Sequence, residues 1–112
     1  MITNEQINQL LRFIEESDQV EVDDFYAQSV HTYQNDLEDN NVALCLIHTD
    51  HETGEIYEFE FTRRELRKAQ VNGNEIAVQD TLGNSPTIYL YERVDHNVPH
   101  ELALAFEEEE EA

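Results

Sequence analysis

An excess of carboxylates dominates this sequence. Its 112 residues include 26 aspartates and glutamates but six lysines and arginines, which gives a formal net charge of −20. Because a buried carboxylate needs a partner that so few cations can supply, nearly all of this charge must lie on the surface of the folded chain. A small domain needs a net charge of about 2–8 in magnitude to stay soluble, so the surface carries more charge than solubility requires.

The sign of the charge excludes some classes of partner and favours others. Nucleic acid and anionic lipid are themselves negative, so the sequence predicts neither direct nucleic-acid binding nor membrane binding. A basic protein is the partner that this charge favours. Adaptation to high salt is an alternative explanation for the acidic composition.

The length and the cysteine content predict a single intracellular domain. A chain of 112 residues is long enough for one hydrophobic core. Cys45 is the one cysteine, so no internal disulfide can form, and the longest apolar run, 42–47, is far short of the ~20 residues that span a bilayer. We therefore expect a cytoplasmic protein with a domain over 1–106 and an acidic C-terminal tail over 107–112.

Two helices are predicted in the first third of the chain. Thr3 and Gln6 have the spacing of a capping box, and the apolar residues that follow have helical spacing: Ile7, Leu10, Leu11 and Ile14. A second helix is predicted over 23–37, because four apolar or aromatic residues there form one helical stripe: Tyr26, Val30, Tyr33 and Leu37.

The middle of the chain predicts strands. Residues 42–49 are apolar on both faces, as in an interior strand, and 55–61 alternate between inward aromatic residues and outward glutamates. Thr62 and Glu65 form a second capping-box pattern and predict a short helix that ends by Gly73. Two more strands, over 76–78 and 88–90, are expected to form a second hairpin, and the segment 99–108 has features of both a strand and a helix, with the alternation of its apolar residues favouring a strand.

These elements predict an α+β fold. Two N-terminal helices would pack on an antiparallel sheet of four to five strands, with one short helix between the hairpins.

The carboxylates are concentrated in a few stretches, and these are the predicted partner-binding residues. Carboxylates one helical turn apart, or on alternate residues of a strand, lie roughly 6 Å apart, which is comparable to the stagger of phosphates along a nucleic-acid backbone. A rigid array of this kind can imitate a phosphate track. The predicted binding residues are Glu15, Glu16, Asp18, Glu21, Asp23, Asp24, Asp36, Glu38, Asp39, Glu58 and Glu60.

In bulk character the chain resembles phage anti-restriction and anti-CRISPR inhibitors, although no motif identifies a family. That resemblance implies an acidic nucleic-acid mimic, which inhibits or modulates a basic DNA- or RNA-binding protein such as a nuclease, a repressor or a histone-like protein. The alternative is a small acidic adaptor that binds a basic protein or peptide without such mimicry. With 26 carboxylates and no pocket visible in the sequence, no catalytic pair can be selected, so we predict no enzyme activity and no cofactor.

Four of the six basic residues fall within six positions, at Arg63, Arg64, Arg67 and Lys68. We expect nearby carboxylates, for example Glu58, Glu60 or Glu65, to pair with them. A surface that meets the acidic face of a second copy, and so forms a homodimer, is the alternative.

The histidines give weak metal signals. His48 and His51 flank acidic residues, and His96 and His100 lie four residues apart, but neither pattern supplies a closed set of zinc ligands. We therefore predict no metal site. Cys45 is expected in the core unless a β-bulge intervenes, and it should face away from His48 because residues three apart in a strand point to opposite faces.

Overall fold

The computed structural model describes residues 2–91 and 100–110, which form three helices and two antiparallel sheets. The helices are α1 (Asn4–Glu16), α2 (Arg63–Leu66) and α3 (His100–Glu110). The strands are β1 (Gln19–Val22), β2 (Phe25–Tyr26), β3 (Ser29–Thr32), β4 (Val42–Thr49), β5 (Ile56–Thr62), β6 (Gln70–Asn72), β7 (Glu75–Ala77) and β8 (Thr87–Tyr91). Among the described residues, no helix is long and apolar enough to cross a lipid bilayer.

The strands confirm the α+β class but not the single sheet. Five of them form one sheet in the order β2-β1-β8-β7-β6, and three form a second sheet in the order β3-β4-β5. The predicted strands over 42–49 and 55–61 pair as β4 and β5, and the predicted pairing of the two later strands is found between β7 and β8. The chain passes from the first sheet to the second between β2 and β3.

Helix α1 begins as its sequence predicts. The hydroxyl of Thr3 accepts a hydrogen bond from the backbone of Gln6, and the Gln6 side chain accepts one from the backbone of Thr3 at 2.9 Å. Such a cap contributes about 0.5–2 kcal/mol to helix stability. The apolar face that follows is completely buried, at Ile7, Leu10, Leu11 and Ile14.

The core lies between the two sheets and the helices. Val22, Ile76 and Ile88 enter it from the five-stranded sheet, and Leu46 and Phe61 enter it from the three-stranded sheet. At one end the two sheets are in direct contact: the ring of Phe25 in β2 stacks on the ring of Tyr57 in β5, and the ring centroids are 5.0 Å apart. The outer faces of both sheets are consequently free to carry polar groups.

The predicted second helix over 23–37 is wrong. Asp23 and Asp24 form a turn, with Asp23 at φ 53°, and the chain continues as β2 and β3. The stripe that predicted the helix is largely exposed, since Tyr26, Tyr33 and Leu37 retain 45%, 47% and 52% of their accessible surface. Pairing of β3 with the apolar strand β4 supplies the backbone hydrogen bonds of residues 29–32, so this tertiary contact prevails over the local helical periodicity.

The strand favoured for 99–108 is also wrong, because His100–Glu110 forms helix α3. Leu102, Ala103 and Phe106 are buried, and α3 packs along β6, whereas Leu104 is 38% exposed. Alanine, leucine and glutamate are strong helix formers, and here their propensity prevails over the alternation of apolar residues. Part of the predicted tail is therefore helical, and residues 111–112 lie outside the described residues.

Candidate functional site

The outer face of the three-stranded sheet brings together residues that are far apart in the sequence. His31 of β3 lies opposite Cys45 of β4, which in turn lies opposite Glu60 of β5. The neighbouring row pairs Ile47 with Glu58. Because alternate residues of a strand share a face, Glu58 and Glu60 project on the same side as Cys45, away from the core.

A β-bulge determines which residues of β4 reach this face. The pairing of β4 with β5 shifts between Val42 and Leu44, so Ala43 is an extra residue in β4. Beyond the bulge the side chains have changed faces: Leu44 is fully buried in the core, whereas both Val42 and Cys45 line the outer face. Cys45 is 8% exposed, so its thiol lies deep in this face without belonging to the central core.

These side chains surround a groove of about 540 Å³, which we name the anionic groove. It is lined by His31, Tyr33, Asp36, Cys45, Glu58 and Glu60, together with Asn41, Val42 and Ile47. Asp36 reaches it from the loop between β3 and β4, where its two oxygens accept hydrogen bonds from the backbone of Glu38 and the side chain of Asn41 at 3.1 and 3.0 Å. The loop is thereby held so that a third carboxylate faces the sheet.

The anionic groove has an unbalanced charge. Within residues 2–91 and 100–106, no lysine or arginine forms an ion pair with Asp36, Glu58 or Glu60. Burial raises the pKa of the Cys45 thiol above its ordinary value, and the charges of Glu60 and Glu58 raise this pKa further. The groove therefore favours cations and disfavours a thiolate.

This electrostatic environment does not suit a cysteine nucleophile. A catalytic thiol needs a pKa lowered by a neighbouring cation or helix terminus, and the anionic groove has the opposite effect on Cys45. His48, three residues along β4, faces the other way: its ring lies 5.1 Å from that of Phe25, and its Nδ1 lies 2.7 Å from the carbonyl oxygen of Tyr26. The predicted opposite orientation of Cys45 and His48 is found in the structure.

Three of the predicted binding residues, Asp36, Glu58 and Glu60, meet in the anionic groove. The predicted cluster over 15–24 is dispersed instead. Glu15 accepts hydrogen bonds from Thr32 and Gln34 at 2.8 and 3.1 Å.

The rest of that cluster is spread over other parts of the described chain. Glu16 faces a different groove beside α3, and Glu21 lies on the outer face of the five-stranded sheet. Asp18 lies between α1 and β1, and Asp23 and Asp24 occupy the turn between β1 and β2. Because the second helix predicted for this region does not form, nothing aligns these carboxylates.

The four clustered basic residues have different roles. Arg67 pairs with Asp39 at 2.9 Å, and Glu38 is exposed next to Asp39. The carboxylates that we expected to pair with the four basic residues do not form these pairs. Glu58 and Glu60 face the anionic groove, and Glu65 caps its own helix through Thr62.

Arg63 is fully buried and forms no ion pair among the described residues, although the charges of Asp36 and Asp39 favour its charged form. Its guanidinium donates hydrogen bonds to the side chain of Asn8 and to the backbone oxygens of Tyr33, Gln34 and Asp36. Arg63 thus fastens the loop before β4 to helix α1. Arg64 and Lys68 remain exposed and line a separate groove of about 530 Å³ beside β7.

Tyr89 and Tyr91 of β8 point away from the core. Both lie on the outer face of the five-stranded sheet, where Tyr89 stands between Glu21 and Glu75 and where Tyr91 is 42% exposed. Ile88 and Leu90, which alternate with them, are the buried residues. The alternation with a period of two over 87–91 indicates that Tyr89 and Tyr91 lie on the face opposite to Ile88 and Leu90.

The sequence did not indicate His31 and Tyr33 as residues of the groove. Both fell within the predicted second helix, whose periodicity hid the fact that they alternate with Val30 and Thr32 as in a strand.

Comparisons with known proteins do not identify a family. No protein family matches the sequence, and neither the curated proteins nor the solved structures include a significant match to it.

Proposed function

We propose that this chain is a binding protein for a basic protein partner and that lysine or arginine side chains of the partner enter the anionic groove. The observation that carries the proposal is the convergence of Asp36, Glu58 and Glu60 on one groove in which no lysine or arginine of the described chain pairs with them. Each of these carboxylates keeps its capacity to accept a hydrogen bond from a charged donor.

The groove also offers contacts for the apolar part of a basic side chain. Ile47 is half-buried in its wall, and the ring of Tyr33 is 47% exposed at its edge. The methylene stem of lysine or arginine can pack on such groups while its charged head meets the carboxylates, and a cation over a tyrosine ring gains about 0.5–1 kcal/mol. The groove thus fits a basic side chain in both shape and charge.

The net charge of −20 would act at longer range. A surface of one sign attracts an oppositely charged partner before contact and raises the association rate, whereas an exposed ion pair contributes about 0.2–1 kcal/mol once it has formed. We therefore assign fast association to the whole surface and selectivity to the anionic groove.

Binding to a labelled peptide rich in lysine and arginine tests this proposal. We would compare the double variant Glu58→Gln/Glu60→Gln with a matched control, Glu52→Gln/Glu75→Gln, which removes the same charge from exposed positions outside the groove. At about 0.2–1 kcal/mol for each carboxylate, the groove variant should bind about twofold to thirtyfold more weakly than the control. Equal affinities of the two variants would contradict a role for the groove.

Nucleic-acid mimicry is a second candidate function. It is favoured by the net charge and by Glu58 and Glu60, which lie two residues apart on one face of β5, so that their Cα atoms are about 6.6 Å apart along the strand although carboxylate oxygens of the two lie within 4.8 Å of each other. The dispersal of the carboxylates over 15–24 is the reason that it stands second.

Competition with nucleic acid separates the two candidates. A basic DNA-binding protein, such as a histone, would be captured on the immobilised chain. The complex would then be exposed in separate experiments to an excess of duplex DNA and to an excess of a basic peptide with the same net charge as the captured protein. Displacement by DNA but not by the peptide would support mimicry. Displacement by the basic peptide, because the peptide occupies the groove, would support the first proposal.

A further inference from the structure

The deepest part of the anionic groove combines three types of potential metal ligand. The thiol sulfur of Cys45 and carboxylate oxygens of Glu58 and Glu60 all lie within 4.8 Å of one another. His31 lies opposite Cys45 in the register of β3 and β4 and lines the same groove. One thiol and two carboxylates therefore form a close group, and one imidazole lines the same groove outside that group.

The state of Cys45 distinguishes this group from an ordinary cluster of surface acids. Its side chain is more than nine-tenths buried, it is not in a disulfide, and its sulfur faces the two carboxylates without a hydrogen-bond partner among the described residues. A hydrophobic cysteine in a core would be surrounded by apolar groups. Cys45 instead lies next to two glutamates, in an arrangement that a bound cation would stabilise.

We infer that Cys45, Glu58 and Glu60, with His31 as the fourth donor, bind a zinc ion at the floor of the anionic groove. This inference goes beyond the proposed function and does not depend on it, and zinc and a basic side chain would compete for Glu58 and Glu60. Zinc prefers four ligands in a tetrahedral arrangement and accepts sulfur, nitrogen and oxygen together. Calcium and magnesium prefer oxygen ligands alone, so the thiol selects against them.

The geometry requires small adjustments of flexible side chains. In a tetrahedral zinc site with bonds of about 2.0–2.3 Å, neighbouring donor atoms lie about 3.5 Å apart. The sulfur of Cys45 and the oxygens of Glu58 and Glu60 must therefore approach one another by about 1 Å from the upper limit of 4.8 Å, whereas the exposed ring of His31 lies outside this group and must turn toward it. Glu58 is exposed and Glu60 half-buried, so rotation of their side chains can supply this movement while Cys45 stays fixed by the sheet.

The test uses the complete chain, stripped of metal and titrated with zinc in the presence of excess magnesium. We expect one zinc per chain. Titration with cobalt should produce the charge-transfer absorption of a cobalt–thiolate bond. Cys45→Ser should abolish that absorption and weaken zinc binding at least about tenfold, because even the loss of an outer partner of a metal ligand costs about 10- to 100-fold.

Two further variants protect the test from a folding artefact. Glu58→Gln/Glu60→Gln changes side chains that are not deeply buried and should also weaken zinc binding at least about tenfold, whereas the control Glu52→Gln/Glu75→Gln should bind zinc as the parent chain does. Circular dichroism without metal would establish that each variant is folded.

The site does not exist if magnesium displaces the zinc, if zinc binds equally well to the Cys45→Ser and parent chains, or if the cobalt complex lacks thiolate absorption. Each of these results would mean that the acidic surface merely collects cations. Peptide binding is measured with a chelator present and zinc binding without peptide, so failure of one experiment is distinguishable from failure of the other.

Discussion

Nη2 of Arg67 lies 2.9 Å from Oδ1 of Asp39, which joins the end of helix α2 to the loop between β3 and β4. The hydrogen bond from Arg67 is the main reason that the pKa of Asp39 lies below its ordinary value, and the charges of Arg67, Arg64 and Arg63 lower it further against a smaller opposing effect of desolvation. Neutralising either partner would release the same loop that carries Asp36 into the anionic groove.

This pair predicts a pH dependence of stability. Because the pKa of Asp39 is lower in the folded than in the unfolded chain, its contribution to stability is present above the unfolded pKa of about 3.9 and is lost as the pH falls through the folded pKa. Asp39→Asn should therefore lower the melting temperature at pH 7 and have little effect in strong acid. Thermal melts of both proteins between pH 2 and pH 7 measure this; a constant difference across the range would contradict the linkage.

Arg63 predicts a much larger loss of stability. Its buried guanidinium donates to four acceptors, and Arg63→Ala would leave the side-chain oxygen of Asn8 and three backbone oxygens without their charged donor. We expect a loss of about 3–5 kcal/mol in the free energy of unfolding, because buried oxygens lose hydrogen bonds to a charged donor and the removed side chain leaves a cavity.

The control for this prediction is Arg64→Ala, which removes the same charge from an exposed neighbour and should change the free energy of unfolding by less than about 1 kcal/mol. Urea denaturation measures both values. Similar losses for the two variants would show that net charge, and not the buried hydrogen bonds, determines the effect.

The features of the fold that could be predicted from the sequence are those that depend on residues close together in the chain. The capping boxes of Thr3 and Thr62 involve residues three apart, and both are found as predicted. The anionic groove, by contrast, depends on register: Cys45 meets Glu60 and His31 only because β4 pairs with β5 on one side and with β3 on the other. A bulge at Ala43 then decides which face Cys45 occupies, and no local pattern in the sequence indicates it.

The helix over 23–37 was wrongly predicted because a local pattern of residues does not show which strand the segment pairs with. Tyr26 and Val30 satisfy a helical spacing, yet the decisive interaction of this segment is the pairing of Ser29 with Ile47 and of Val30 with Leu46, which are 18 and 16 residues apart in the sequence. A short segment with two possible periodicities takes the one that its partner strand satisfies.

The anionic groove predicts the reactivity of Cys45. In the metal-free chain, burial and the charges of Glu60 and Glu58 raise the pKa of this thiol, so alkylation at neutral pH with a chelator present should be slow. Glu58→Gln/Glu60→Gln removes the charge effect but not the burial, so it should lower the pKa and increase the alkylation rate several-fold. Rates of iodoacetamide modification as a function of pH measure this, and an unchanged pKa would show that burial alone controls the thiol.

The division between long-range attraction and groove contacts makes a kinetic prediction. The groove variant Glu58→Gln/Glu60→Gln and its control Glu52→Gln/Glu75→Gln each remove two of the 20 net negative charges, so their association rates with a basic peptide should be nearly equal. Increasing the salt from 0.01 to 1 M shortens the screening length from about 30 to 3 Å and should slow the association of both at least about tenfold.

The dissociation rate, in contrast, should be faster for the groove variant alone, because only that variant has lost carboxylates that contact the bound peptide. Surface plasmon resonance at several salt concentrations resolves the two rates, and a difference confined to association would place the peptide outside the groove.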